Sequence, residues 1–194
     1  IFVKPALGQG GFGINVFHRI NEKFKKDDIV FNYDYLKKIS HEDDWIIQEG
    51  IDQHEELNKI NPSSVNTFRI ITKNEEGNVK ILVATLRIGI NQKEVDNSAQ
   101  GAISCKINLQ NGAFNNFATS EHPYKKYIKH PNTNIIFNNY FTVHYTEIKN
   151  FVVNSARKLP YFKIISWDIA LSKNNILAIE FNLSFGIDHL QYCC

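Results

Sequence analysis

Asp168, Glu180 and Asn182 bring three oxygen-bearing side chains together near the end of a 194-residue chain. They lie in Ile165-Ser166-Trp167-Asp168-Ile169-Ala170 and Ala178-Ile179-Glu180-Phe181-Asn182-Leu183, two apolar runs separated by Lys173-Asn174-Asn175. Side chains alternate along a strand, so Glu180 and Asn182 share one face, and Ile179, Phe181 and Leu183 the other. A loop over 173–175 pairs Ser172 with Ile176 and sets Asp168 opposite Glu180. A one-residue slip would turn one strand's polar set to the other face. Two carboxylates and an amide oxygen on one patch of sheet suit Mg2+ held by few protein ligands plus substrate phosphates. A half-exposed strand with polar residues outward is the plainer reading of Glu-x-Asn alone.

The other end of the chain carries a second chemical signal. Phe2-Val3-Lys4-Pro5 reads as a strand, followed by Ala6-Leu7-Gly8-Gln9-Gly10-Gly11-Phe12-Gly13. Glycines let backbone N–H groups approach a phosphate and turn through positive φ. A lysine on the strand before such a lid supplies a point charge for phosphate oxygens, while the lid supplies donors and excludes water. Lys4, Gly8, Gln9, Gly10 and Gly11 are therefore candidate nucleotide contacts; a plain hairpin turn is the alternative. The loop also mimics that of protein kinases. A kinase needs its lysine on the strand after the loop, with catalytic His-Arg-Asp and Asp-Phe-Gly motifs. Lys23, Lys25 and Lys26 lie instead in a charged stretch, His18-Arg19-Ile20 lacks the aspartate, and no Asp-Phe-Gly follows.

These residues need strands to hold them. Ile1–Val3, Ile14–Ile20 and Ile29–Tyr33 read as strands, and Asp34 caps a short helix through Ile39. Trp45-Ile46-Ile47 reads as a buried strand. A helix over Gln53–Ile60 stops at Asn61-Pro62. Thr67–Thr72 with Val79–Gly89, Ala102–Leu109 with Ala113–Ala118, and Lys163–Leu171 with Ile176–Leu183 read as three hairpins. The first turns over Asn74–Asn78 and the second around Asn111-Gly112. The stretch from His122 to Asn139 reads as irregular. Ile148, Phe151, Val152, Ser155, Ala156 and Leu159 lie on one helical face, capped by Thr146 and ended by Pro160. Hairpins with few helices predict an α+β fold with mostly antiparallel pairing.

Composition narrows the function classes. Apolar residues make up 43% and charged residues 22%, enough to bury a core and to exclude a wholly disordered chain. No apolar run is long enough for an ordinary transmembrane helix, and no secretory signal is visible. Interspersed charges with a net +2 give a nucleic-acid partner no support. Three cysteines, two of them the adjacent Cys193-Cys194, make no disulfide framework, so a cytoplasmic setting is expected. The sequence has no methionine and begins at Ile1, which reads as a segment of a longer protein.

Taken together, Val3-Lys4-Pro5 with its glycine-rich loop and Asp168…Glu180-x-Asn182 resemble the phosphate lysine, lid and magnesium triad of the ATP-grasp superfamily. The resemblance covers nearly the whole chain. It is narrowest to the sugar-transfer-associated ATP-grasp family, linked to cell-surface polysaccharide biosynthesis. The segments that carry it are Asn61-Pro62-Ser63-Ser64-Val65-Asn66-Thr67-Phe68-Arg69-Ile70, Leu86-Arg87-Ile88-Gly89, Val95-Asp96-Asn97, His130-Pro131, Trp167-Asp168-Ile169-Ala170 and Glu180-Phe181-Asn182…Asp188…Gln191. Gly101-Ala102 departs from an expected glycine pair.

The resemblance implies two lobes with mostly antiparallel sheets, residues 1–49 and 50–194, and a further N-terminal part missing from this segment. It implies ATP and Mg2+ as cofactors, with Asp168, Glu180 and Asn182 on the metal. Gln48, Glu49 and Ile51 match the segment linking the lobes, where backbone groups and a Glu contact adenine and ribose. Binding would close the lobes there, with His54 either contacting nucleotide or sitting on the helix surface. The implied reaction is ATP-driven ligation: a carboxylate attacks the γ-phosphate, and an amine, sugar or other nucleophile displaces phosphate from the acyl phosphate. Arg69 and Arg87 are candidates for the transferring phosphoryl group or acceptor carboxylate, with a surface ion pair as the alternative. Asp96-Asn97 binds acceptor or makes a turn, and His130-Pro131 reads as a loop anchor. Two rival functions remain: an inactive nucleotide-binding module that regulates or scaffolds polysaccharide enzymes, and a carbohydrate-binding β domain using Tyr124, Tyr127 and Tyr140.

Overall fold

Short apolar stretches interrupted by turn residues build the first part of the chain, and long alternating strands build the rest. The computed structural model describes residues 1–7, 12–41, 44–91, 101–121, 123–138, 140–187 and 191. The chain divides into two compact units, Ile1–Ile51 and Asp52–Cys194. Gly8–Gly11, the Val95-Asp96-Asn97 segment, Asp188 and the Cys193-Cys194 pair lie outside the described residues.

The first unit contains, in order, β1 (Phe2–Pro5), β2 (Asn15–Val16), β3 (His18–Ile20), β4 (Lys23–Lys26), β5 (Ile29–Val30), α1 (Tyr33–Ile39) and β6 (Trp45–Gln48). They form two three-stranded antiparallel sheets, β2-β1-β6 and β3-β4-β5. Val3, Phe17 and Ile39 are buried among Phe31, Tyr35 and Trp45.

Several expectations change here. Asn32, not Asp34, caps α1: its backbone is extended and its Oδ1 accepts the Tyr35 N–H at 2.9 Å. Asp34 lies in the first turn, where a carboxylate favours the helix dipole. The single strand expected over Ile14–Ile20 is two short ones, and the lysine-rich stretch forms β4. Strand β6 is not a buried strand, because Ile46 and Ile47 are 44% and 48% exposed.

The second unit continues with α2 (Glu55–Ile60), β7 (Thr67–Glu75), β8 (Asn78–Ile88), β9 (Ile103–Ile107), β10 (Phe114–Ser120), β11 (Lys125–Tyr127), α3 (Tyr145–Arg157), β12 (Ile164–Leu171) and β13 (Ile176–Asn182). Its strands join in one antiparallel sheet, ordered β11-β10-β9-β8-β7-β12-β13. The β7–β8 hairpin turns tightly at Glu76-Gly77, with φ of 53° and 88°, rather than over the five expected residues. Strand β11 falls inside the stretch expected to be irregular; with three residues it is too short to show a period. Helix α3 packs against β7, β8 and β12, burying Ile148, Val152 and Ala156. It begins at Tyr145, so Thr146 lies inside it and not at the cap. That sheet face carries the core, with Phe68, Ile70, Leu86, Cys105, Ile165, Trp167 and Ile169 all buried. The fold is mixed, with few helices and antiparallel sheets. Among the described residues no helix is long and apolar enough to cross a membrane.

Candidate functional site

The β12–β13 hairpin sets Asp168 opposite Glu180 and Ser166 opposite Asn182. It reaches this register differently from the sequence expectation. Leu171, not Ser172, closes the ladder with Ile176, leaving a four-residue loop. Ser172 stabilises that loop: its Oγ accepts the Asn175 N–H at 2.9 Å, and its N–H donates to the Asn175 carbonyl at 2.9 Å. The pairing then shifts by one residue between Ile169↔Ala178 and Asp168↔Glu180, with Ile179 as the extra residue. This bulge restores the pairing the three-residue loop was expected to give. Phe181 lies opposite Trp167, their rings 5.6 Å apart, on the apolar face.

The polar face extends well beyond this hairpin. Arg69 on β7 is opposite both Asp168 on β12 and Thr85 on β8, and Thr85 is opposite Lys106 on β9. Glu180, Asp168, Arg69, Thr85 and Lys106 thus form one row across five strands. A second row holds Thr67, Arg87 and Ser104. Paired residues share a face, and so do residues two apart on one strand. Each central strand therefore contributes a hydroxyl and a charge two residues apart: Ser166-x-Asp168, Thr67-x-Arg69, Thr85-x-Arg87 and Ser104-x-Lys106.

The centre of this face is buried. Asp168 is 1% exposed, Arg69 9% and Arg87 8%. Arg69 Nε lies 2.7 Å from Asp168 Oδ1, and an Arg87 terminal nitrogen 3.4 Å from Oδ2. Arg69 also donates to Ser166 Oγ at 3.1 Å, and Arg87 donates twice to Thr67 Oγ1, at 3.0 and 2.9 Å. The expected alternative of a surface ion pair is thus corrected: the pair is inside the sheet, where breaking it leaves a charge without water. Burial pushes the Asp168 carboxyl up to about 6 against the pull of Arg87 and Arg69, and the neighbouring Glu180 pushes it the same way as burial. Glu180 is exposed on β13, and Asn182 donates from Nδ2 to its Oε1 at 3.2 Å.

Asp168 and Glu180 are two carboxyl groups in mutual contact, and Asn182 adds an amide oxygen. A divalent cation would offset the burial that chiefly raises Asp168 and relieve the smaller like-charge contact with Glu180, and all three groups offer hard oxygens. The residues fit Mg2+. A metal here would meet an aspartate already held by two guanidiniums.

In the first unit, Lys4 sits on β1 with Ile46 of β6 as its ladder partner. Strands β1 and β2 pair around the glycine-rich segment, so that segment connects a hairpin. Its far end is fixed by Gly13, whose φ is +76° and whose added Cβ would lie 2.9 Å from Pro5 Cγ. Gln48 ends β6 opposite Phe2, with Glu49 exposed and Ile51 half-buried beyond it. His54, in the second unit, caps α2: its Nδ1 accepts the Glu56 N–H at 3.3 Å.

A family model described as sugar-transfer associated ATP-grasp matches residues 1–192. The chain belongs to this ATP-grasp family. Comparisons with curated proteins and with solved structures gave no match.

The ATP-grasp segment Asn61–Asn66 leads directly into the charged rows. Asn66 is fully buried: its backbone N–H donates to Gln53 Oε1 at 2.6 Å, and its Nδ2 to the Asn61 carbonyl at 2.9 Å. Asn61 donates to Ser64 Oγ at 2.9 Å, and Gln53 Nε2 to the Asn61 carbonyl at 3.0 Å. This saturated network fixes the start of β7, and hence Thr67 and Arg69. His130, also fully buried, lies 2.9 Å by Nε2 from the Gly89 carbonyl and 3.0 Å by Nδ1 from Thr133 Oγ1. It anchors a loop, as expected. Tyr140 donates its hydroxyl to the Glu56 carbonyl at 2.7 Å, so it is no free stacking platform.

Sequence reading missed Thr67, Thr85, Ser104, Lys106 and Ser166. Their signal was the hydroxyl-x-charge pair repeated on four strands, which becomes a pattern only when those strands are adjacent.

Proposed function

We propose that the chain is the ATP-binding and metal-binding part of a Mg-ATP-dependent ligase in surface polysaccharide assembly. It would join a carboxylate to an amine, sugar or other nucleophile through an acyl phosphate. The observation that supports this most is the row Glu180–Asp168–Arg69, with Asn182 beside it and Arg87 completing the contact to Asp168. Bound Mg2+ would neutralise phosphate oxygens and orient the transferring phosphoryl group.

The chain's own residues do the positioning. Asp168, Glu180 and Asn182 present the oxygens. Arg69 and Arg87 hold the Asp168 carboxylate in one orientation and keep positive potential beside it, where developing phosphoryl or acceptor charge would be stabilised. Lys4 and the N–H groups of Gly8, Gln9, Gly10 and Gly11 would engage phosphate, while Gln48, Glu49 and Ile51 would contact adenine and ribose. A cytoplasmic setting, where ATP is plentiful, belongs to the same proposal.

The test is a screen of the full-length protein for ADP release with ATP, Mg2+ and panels of amino acids and sugars. Release that depends on one carboxylate and one acceptor is expected. ATP binding without turnover across the screen would favour a regulatory or scaffolding module instead.

A further inference from the structure

The second unit also brings together His54, Glu56 and His144. One ligand atom from each lies within 4.8 Å of the other two, and all three side chains are half-buried. His54 caps α2, Glu56 is in its first turn, and His144 immediately precedes α3. The two imidazoles meet edge to face, with centroids 4.7 Å apart and planes at 77°. We propose that these three residues bind a borderline transition metal such as Zn2+, at a site separate from the Asp168–Glu180 cluster.

The donor chemistry separates the two sites. Two imidazoles and one carboxylate suit Zn2+, whereas two carboxylates and an amide suit Mg2+. Zinc bonds of roughly 2.0–2.1 Å in a tetrahedron place ligand atoms about 3.3 Å apart. Small side-chain rotations close the gap, and a fourth position is left for water or another ligand.

The surroundings orient the carboxylate as a ligand requires. Thr142 Oγ1 donates to Glu56 Oε1, and the Val143 N–H donates to Oε2 at 3.3 Å. Such outer contacts hold a metal-bound carboxylate in place. The Tyr140 hydroxyl clamps the same segment to the Glu56 carbonyl. His144 makes no side-chain capping bond, so its ring nitrogens are not engaged by its own helix. His54 would exchange its long 3.3 Å cap bond for the metal or release it when the ring changes tautomer. The positive ends of both helices oppose a cation, an effect much weaker than three ligand bonds. Binding would tie the start of α2 to the start of α3.

The test uses the full-length protein, stripped with chelator, and titrated with Zn2+ by calorimetry and thermal unfolding. His144→Gln removes a ligand that makes no cap bond. His54→Asn removes an imidazole but keeps a capping oxygen. One Zn2+ per chain and a rise in Tm are expected for the wild type, with affinity lowered about tenfold or more in each variant. Co2+ in place of Zn2+ is expected to give visible bands of a four- or five-coordinate nitrogen–oxygen site. Equal Zn2+ affinity in the wild type and both folded variants would overturn the proposal. So would Co2+ thiolate charge-transfer bands, which would assign the metal to cysteine.

Discussion

The charged rows of the second unit and the glycine-rich segment of the first would carry the proposed chemistry in opposite ways. In the rows, side chains would do the work, and the strand period with its cross-strand register places them: Asp168 faces Arg69 and Glu180 because β12 lies between β7 and β13. In the hairpin, backbone N–H groups would do the work, and the flanking β1–β2 pairing and the contact of Gly13 with Pro5 define where the segment leaves and rejoins the sheet. At the centre of the rows little loss is tolerated, because Asp168, Arg69 and Arg87 are buried against one another. A site built on glycine backbone depends on conformational freedom that most substitutions remove.

The largest effect is expected at the centre of the rows. Asp168→Ala leaves the buried Arg69 and Arg87 without their shared carboxylate. Removing one member of a buried pair costs about 3–5 kcal/mol. Urea unfolding should show this loss; a change below about 1 kcal/mol would mean that water reaches both arginines freely. Next comes Gly13→Ala, which imposes a side chain at φ +76° and crowds Pro5. It should cost about 1–2 kcal/mol, read as faster amide exchange in β1 and β2. Unchanged exchange would separate Gly13 from the hairpin's stability.

A smaller effect is expected with pH. Burial holds the His130 imidazole below its ordinary value despite the Gly89 carbonyl. The folded state then binds fewer protons than the unfolded state, so stability falls as pH drops from the ordinary value of 6.5 through the lowered one. Asp168 works in the opposite sense, since its raised value favours the folded state as pH falls. The difference between the wild type and His130→Gln isolates the histidine. Unfolding midpoints from pH 7.5 to 5, values chosen to span the ordinary histidine range, should converge for the two proteins as pH falls. A constant difference would contradict the assignment.

Much of this contrast was legible in the sequence, for physical reasons that differ by residue. Period-two alternation placed Glu180 and Asn182 on one face, and the Asp168 pairing followed from counting residues around the turn. The count was one residue off at the loop, and the bulge at Ile179 compensated; no local signal marks a bulge that contains an isoleucine. The family resemblance named Arg69 and Arg87, but their shared partner depends on β7 lying between β8 and β12, a long-range pairing. His54 was read as a nucleotide contact or surface residue because a histidine cap has no strong sequence signature, and its neighbour His144 lies in a distant segment. Ile46 and Ile47 read as buried from their type alone, whereas β6 is an edge strand that leaves both half-exposed.

The smallest effect on stability and the most informative effect on function are expected at the same residue. Glu180 is exposed on the edge strand, so Glu180→Gln should change stability by less than about 0.5 kcal/mol. It nevertheless removes one of the two carboxylates proposed to hold the metal, without removing volume. The decisive measurement is calorimetric titration of ATP into full-length wild type and Glu180→Gln, with and without Mg2+. The wild type should bind ATP more tightly with Mg2+, and the folded variant should lose most of that magnesium-dependent gain. A variant that keeps the full gain would show that the Asp168–Glu180–Asn182 cluster does not hold the metal.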